Sequence, residues 1–224
     1  MPPAISQKDI QQIVNGDHPN PFSVLGMHRA VLLDGPVVAV RALVPDADDV
    51  SIVDARSGAV VPMELIDAAG LYEARLPEQG RFPYRIRASW KGAEQEFADP
   101  YAFPSTIGEL DLHLMAEGRD LRLYRKLGSH PMTVDGVNGV RFAVWAPNAH
   151  RVSVVGDFNH WDGRRHSMRL HPGAGVWEIF IPEMVVGTLY KYEIKPRSGP
   201  PFVKADPLGF QAEVRPATAS VVHE

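Results

Sequence analysis

Cysteine is absent from all 224 residues, which removes disulfide frameworks, thiolate nucleophiles and Cys-based metal sites. That absence suits a reducing compartment, and a cytoplasmic location is expected. No apolar run approaches the roughly 18 residues that cross a bilayer. The N-terminal MPPAISQKDI has neither a basic nor a long apolar stretch, so neither a membrane partner nor a signal peptide is expected. Positive charge is not in excess either: 23 Lys and Arg against 27 Asp and Glu leave a net charge of −4, with no basic segment. Nucleic acid is therefore not an expected partner, because phosphate binding needs a basic face. The chain also lacks a P-loop, a Gly-rich dinucleotide turn, an HExxH and a GxSxG, and no cofactor is expected. His160, His166 and His171 form the densest histidine group, but their spacing around a loop fits no standard zinc site, and no metal is expected.

What is present is ordinary soluble composition, 45% hydrophobic and 22% charged, enough for each half to bury a core of its own. The dominant feature is an internal repeat about 100 residues long. Val44–Val53 reads VPDADDVSIV and Ala146–Val155 reads APNAHRVSVV. GLYEARLP (Gly70–Pro77) matches GVWEIFIP (Gly175–Pro182), FPYRI (Phe82–Ile86) matches YKYEI (Tyr190–Ile194), and ADPYAF (Ala98–Phe103) matches ADPLGF (Ala205–Phe210). Four matches in one order imply two tandem domains of one fold.

Apolar residues recur at period two in Val152, Val154 and Phe158 and in Trp177, Ile179 and Ile181, as half-buried strands require. Pro-Asp, Pro-Asn and Asp-Pro pairs punctuate the runs as turns. The expected fold is all-β: two tandem immunoglobulin-like β-sandwiches, with about seven strands in each. A short N-terminal helix is predicted over Ser6–Val14, capped by Ser6 with Asp9 and ended by Asn15-Gly16. A partly helical connector is predicted over Leu110–Leu127, with the domain boundary near Thr106–Gly128. The expected division is a first sandwich over 1–108, a connector over 109–130 and a second sandwich over 131–224.

No convergent constellation of catalytic groups stands out. Asp99 and Asp206 recur before proline and read as turn formers, not catalytic carboxylates. The two repeats differ most where the first has VDARSGAVVPMEL and the second GDFNHWDGRRHSMRL (Gly156–Leu170). There Trp161 sits among polar neighbours. A flat indole can cover the C–H face of a pyranose while Asn, Asp, Lys or Arg reach its hydroxyls, although Trp161 as a core or interface residue is the alternative.

GDFNHWDG (Gly156–Gly163) resembles the signature of carbohydrate-binding module family 48. NPFSVLGMH (Asn20–His28), RALVPDADDV (Arg41–Val50), RFAVWAPNAHRVSVVGDFNHWDGRRHSMRL (Arg141–Leu170), YKYEI, KADPLGF and RPATAS resemble the front end of the bacterial 1,4-α-glucan branching enzyme family, over nearly the whole chain. The resemblance implies a noncatalytic α-glucan-binding and scaffold portion of an enzyme that forms α-1,6 branches in glycogen by retaining transglycosylation. That chemistry resides on a (β/α)₈ barrel of about 250 residues, for which the chain has no room before Glu224, so no catalytic residue is carried over. The implied partners are α-1,4-glucan, as glycogen or maltooligosaccharides, and a barrel on the same polypeptide. Trp161 matches the family's stacking tryptophan and Lys191 a lysine that contacts sugar hydroxyls; Asn159 and Thr218 are further candidates. The kinase-type members of the family carry a second stacking tryptophan before the Asp-Pro turn, where this chain has Phe202 and Val203. Trp145 and Trp177 lie in strand patterns and read as core or interface. The competing readings are the N-terminal part of a debranching or trehalose-forming relative, and a stand-alone glycogen-binding regulatory module.

Overall fold

In the computed structural model, which describes residues 5–32, 35–77 and 80–224, the first element is helix α1, Gln7–Val14. Its capping is as the sequence predicts. The Ser6 hydroxyl accepts from the Asp9 N–H at 3.1 Å and donates to the Asp9 carboxylate at 2.7 Å. Ile10, Ile13 and Val14 form its apolar face and pack with Leu25, Leu71 and Tyr101.

The chain divides into two units, Met1–Ala102 and Phe103–Glu224. In the first, the strands are β1 (Gly26–Leu32), β2 (Gly35–Leu43), β3 (Asp49–Asp54), β4 (Val60–Pro62), β5 (Glu64–Asp67), β6 (Leu71–Pro77), β7 (Tyr84–Trp90) and β8 (Ala93–Ala98). They form two antiparallel sheets, ordered β1-β2-β6-β5 and β4-β3-β7-β8. Val38, Val40, Ile52, Tyr72, Tyr84 and Ile86 fill the space between them.

The second unit opens with helix α2 (Glu109–Ala116) and a 3₁₀ turn at Leu123–Arg125, the partly helical stretch expected there. Its strands are β9 (Gly128–Val134), β10 (Val137–Trp145), β11 (Ala149–Val155), β12 (Arg169–His171), β13 (Val176–Pro182), β14 (Leu189–Pro196), β15 (Phe202–Lys204), β16 (Gln211–Ala212) and β17 (Ser220–Val221). One sheet, β9-β10-β13-β12, repeats the order β1-β2-β6-β5; in the other, β11, β14 and β15 pair as β3, β7 and β8 do. The place of β4 is taken by residues 166–168: Val154 N–H donates to His166 O at 3.1 Å and Met168 N–H to Val152 O at 2.9 Å. The sequence repeat is thus a repeat of topology, and the fold is a pair of immunoglobulin-like sandwiches.

Asp99 and Asp206 do form turns. Each Oδ1 accepts the backbone N–H two residues on, from Tyr101 at 2.9 Å and Leu208 at 2.8 Å. The other oxygen does what periodicity could not reveal. It accepts a buried phenol, from Tyr84 at 2.5 Å in the first unit and from Tyr190 (2.6 Å) and Tyr192 (3.1 Å) in the second. Burial pushes the Asp99 carboxyl up to about 6, against the opposing pull of Tyr84.

A fifth repeat match escaped the sequence comparison. Leu25-Gly26-Met27-His28 and Leu127-Gly128-Ser129-His130 adopt one conformation, each histidine Nε2 meeting the carbonyl of its own leucine, at 2.8 and 3.0 Å. Both glycines have φ near +90°, and a Cβ would lie 2.7 Å from Tyr101 O or 2.9 Å from Leu208 O.

The period-two pattern at Trp177, Ile179 and Ile181 does mark β13, but all seven of its residues are buried. Its second face is covered by the segment that precedes α2. Phe103 packs edge-on against Phe180 at 4.9 Å, Ile107 clusters with Val176 and Ala143, and Ser105 and Thr106 bond Glu178. Residues 103–108, read from the sequence with the first sandwich, therefore pack on the second unit. Phe158 was read as continuing the alternation of β11, but it falls in a 3₁₀ turn at Asp157–Asn159, because Gly156 ends the strand.

Candidate functional site

Between β3 and β4 the first unit has five linking residues, 55–59, whereas the second has the ten residues 156–165 between β11 and the edge segment at His166. These extra residues build a loop rooted beside β14. Val155 is the register partner of Lys191, and a Cβ on Gly156 would collide with Leu189 O, so only glycine lets the loop leave the sheet there. Within the loop His160 and Trp161 are both left-handed, with φ of 58° and 59°. A bulky residue at positive φ is uncommon and costs on the order of 1–3 kcal/mol unless its surroundings hold it.

The surroundings do hold it. Trp161 N–H donates to Gly156 O at 3.0 Å, and its indole Nε1–H donates to Asp157 Oδ1 at 2.8 Å. The ring is fixed by its edge, and the residue is 42% exposed. Lys191 projects from β14 on the side opposite Tyr190 and Tyr192, and its Nζ donates to Thr218 Oγ1 at 2.6 Å. Of the four residues singled out from the sequence, Trp161, Lys191 and Thr218 are accessible.

Asn159 is not. It is 1% exposed, and its amide is committed inside the loop: Oδ1 accepts from Gly156 N–H at 3.0 Å, and Nδ2 meets Val154 O at 2.8 Å and His166 Nδ1 at 2.9 Å. Asn159 is therefore corrected from a ligand contact to a loop brace. His166 has a place in this network that its spacing in the sequence did not reveal, and burial holds its ring near a pKa of about 4. Below the loop, Arg151 bridges Gly163 O, Ser153 and Glu193, and fastens the far end of the loop to the sheet.

The other tryptophans separate cleanly. Trp177 is 0% exposed and donates to Ala146 O at 3.0 Å, a core residue as expected. Trp145 is not core: it ends β10 on the face opposite Phe142 and Val144 and is 62% exposed. It borders an apolar cleft of about 680 Å³, lined also by Met115, Leu123, Leu127, Val176 and Leu208. At the position of the second stacking tryptophan, Val203 on β15 is exposed and is the register partner of Glu193, which puts it on the Lys191 side of the sheet. No helix among the described residues is long and apolar enough to cross a membrane.

Two family models match the chain. Residues 6–101 match the N-terminal domain of the alpha-1,4-glucan branching enzyme GlgB, and residues 126–209 match carbohydrate-binding module 48, the isoamylase N-terminal domain. The 1,4-alpha-glucan branching enzyme GlgB of Cereibacter sphaeroides is 48% identical over 220 residues, 98% of this chain and 30% of that protein. The enzyme of Thermosynechococcus vestitus is 46% identical over 219 residues, 97% of this chain and 28% of that one. The chain thus spans about a third or less of the length of these relatives. Among solved structures, a pullulanase from Anoxybacillus sp. LM18-11 in complex with maltotetraose superimposes with a TM-score of 0.35 at 17% identity, over 84% of this chain and 25% of that one. The topological repeat, the family models and the near-complete coverage by relatives agree: residues 6–101 belong to the GlgB N-terminal domain family and residues 126–209 to carbohydrate-binding module family 48, and the chain corresponds to the N-terminal region of the GlgB proteins.

Proposed function

We propose that the chain is the noncatalytic α-glucan-binding and scaffold portion of a branching enzyme, and that the Trp161 loop with Lys191 and Thr218 is its glucan contact. The observation that carries this is Trp161 itself. A large apolar ring is held at positive φ, anchored by its N–H groups and left open on the surface, where a buried core residue would be enclosed. At the root of the loop Val155 is the register partner of Lys191, whose ammonium is held on the Thr218 hydroxyl at 2.6 Å, and these are polar groups of the kind that reach pyranose hydroxyls. Val203 leaves the site with one aromatic platform instead of two. Binding near millimolar, about −4 kcal/mol, is the expectation for a single exposed platform of this kind.

The remainder of the longer polypeptide is the second proposed partner, and the cleft beside Trp145 is the apolar surface offered to it. Chain formation and transfer would reside there. Titration with maltoheptaose tests the binding half: the parent chain should saturate in the millimolar range and Lys191→Ala should bind several-fold more weakly. Equal affinity in the two proteins would remove Lys191 from the site. Incubation with amylose should leave the iodine spectrum unshifted, and a shift to shorter wavelength would overturn the noncatalytic assignment.

A further inference from the structure

Resting on the glucan reading of Trp161, we infer that His166 and Asn159 are positioning residues that hold the Trp161 platform in its left-handed conformation through one chain of hydrogen bonds. Two backbone groups fix the orientation of the Asn159 amide. Gly156 N–H is a donor and needs Oδ1; Val154 C=O is an acceptor and needs Nδ2. The second Nδ2 hydrogen therefore points at His166 Nδ1, 2.9 Å away, so that nitrogen must present its lone pair and the ring proton sits on Nε2. The ring cannot swing aside, because Phe158 stands edge-on to it at 5.4 Å and the His166 carbonyl accepts from Val154 N–H.

The chain of bonds then runs outward. His166 holds Asn159, Asn159 holds Gly156, and Gly156 O receives the Trp161 N–H. Trp161 has no intrinsic preference for φ near +60°, so its conformation lasts only while this chain does. A proton on His166 Nδ1 would set N–H against N–H and break the chain at its first link. The charges near the ring are Arg165, which opposes that proton, and Asp162, which favours it. Asp162 is itself engaged by Arg164. From the sheet below, Arg151 of β11 and Glu193 of β14 are paired with each other. The platform is thus expected to be ordered at neutral pH and released as pH falls toward about 4.

The experiment uses the whole chain and reads the loop with and without sugar. Nitrogen-15 spectra should show His166 as the Nε2–H tautomer at pH 7, and the Trp161 indole N–H should have a rigid heteronuclear NOE. His166→Leu, which removes the acceptor, should leave cooperative unfolding in place, make the Trp161 indole mobile and weaken maltoheptaose binding about tenfold. His166→Asn places an amide oxygen where Nδ1 was; it should restore both order and binding and abolish the loss of order near pH 4. A proton on Nδ1, or a Trp161 indole equally rigid in His166→Leu, overturns the inference whether or not glucan binds. If the tautomer and the mobility change are as stated and no protein binds maltoheptaose, the positioning role stands and the glucan reading falls.

Discussion

At the scale of single residues, tryptophans of the same chemistry stand in opposite surroundings, Trp177 enclosed and Trp161 exposed. Trp177→Ala empties a fully enclosed site and should cost roughly 3–5 kcal/mol of stability. Trp161→Ala removes an exposed ring from a strained backbone and should change stability by no more than about 0.5 kcal/mol, while maltoheptaose binding falls at least tenfold. Thermal unfolding and titration of both variants check this; a Trp161→Ala protein that unfolds, or binds as the parent does, would end the stacking role. Glu178 offers a test by pH. It is buried, which alone would raise its pKa, yet donors from His171, Ser105 and Thr106 hold the carboxyl down to about 2. A folded value below the unfolded one means stability that is present above about pH 4.5 and is lost as pH falls from there toward 2. The gap corresponds to about 3 kcal/mol at most. Glu178→Gln should be less stable than the parent at pH 7, and the difference should shrink as the pH is lowered to 3. A difference that is constant across that range would show that the bonds do not depend on the charge.

At the scale of elements, the sandwich was legible because its punctuation is chemical. Asp-Pro turns, paired glycines and alternating apolar residues recur in one order, and they map onto the same strands in both units. Helix α1 was legible for the same reason, since a Ser6–Asp9 cap and an Asn-Gly stop are local signals. What could not be read are features created by residues far apart in the chain. The covering of β13 comes from residues about 70 positions earlier, so a two-faced burial looks like simple alternation. Trp145 sits in a strand pattern as apolar as its neighbours, and only the sheet's orientation leaves it outside. Asn159 carries a side chain that suits sugar hydroxyls, and only the fold of its loop turns the amide inward. The β15 edge strand yields a prediction of its own. Val203 is exposed on the Lys191 side of the sheet, so Val203→Trp should supply the missing second platform. A gain of about 1–2 kcal/mol would tighten maltoheptaose binding roughly 5–30-fold. Unchanged affinity in a folded Val203→Trp protein would mean that the sugar does not extend across β14 toward β15.

At the scale of the whole molecule, the cleft beside Trp145 and the cover over β13 decide how the chain behaves on its own and when it is cut. An apolar cleft of about 680 Å³ with a largely exposed tryptophan at its rim favours association. Analytical ultracentrifugation should detect concentration-dependent self-association that Trp145→Ser reduces, and a chain that stays monomeric at high concentration counts against a docking role. The cut tests the cover. A fragment begun at Leu110, inside α2, keeps every strand of the second sandwich but loses Phe103, Ser105, Thr106 and Ile107. Glu178 would then lose three of its hydrogen-bond donors, and Phe180 and Val176 would lose apolar neighbours. Leaving a buried carboxylate short of donors costs more than removing an exposed segment would. Residues 103–224 should therefore unfold cooperatively and bind maltoheptaose as the whole chain does, while residues 110–224 should melt several degrees lower or fail to fold. Residues 1–102, whose β3–β4 link has no counterpart of the Trp161 loop, should fold and bind nothing. Equal melting temperatures for the 103–224 and 110–224 fragments would show that the segment before α2 is a passive linker. Binding of maltoheptaose by residues 1–102 as tightly as by 103–224 would move the glucan site out of the second sandwich.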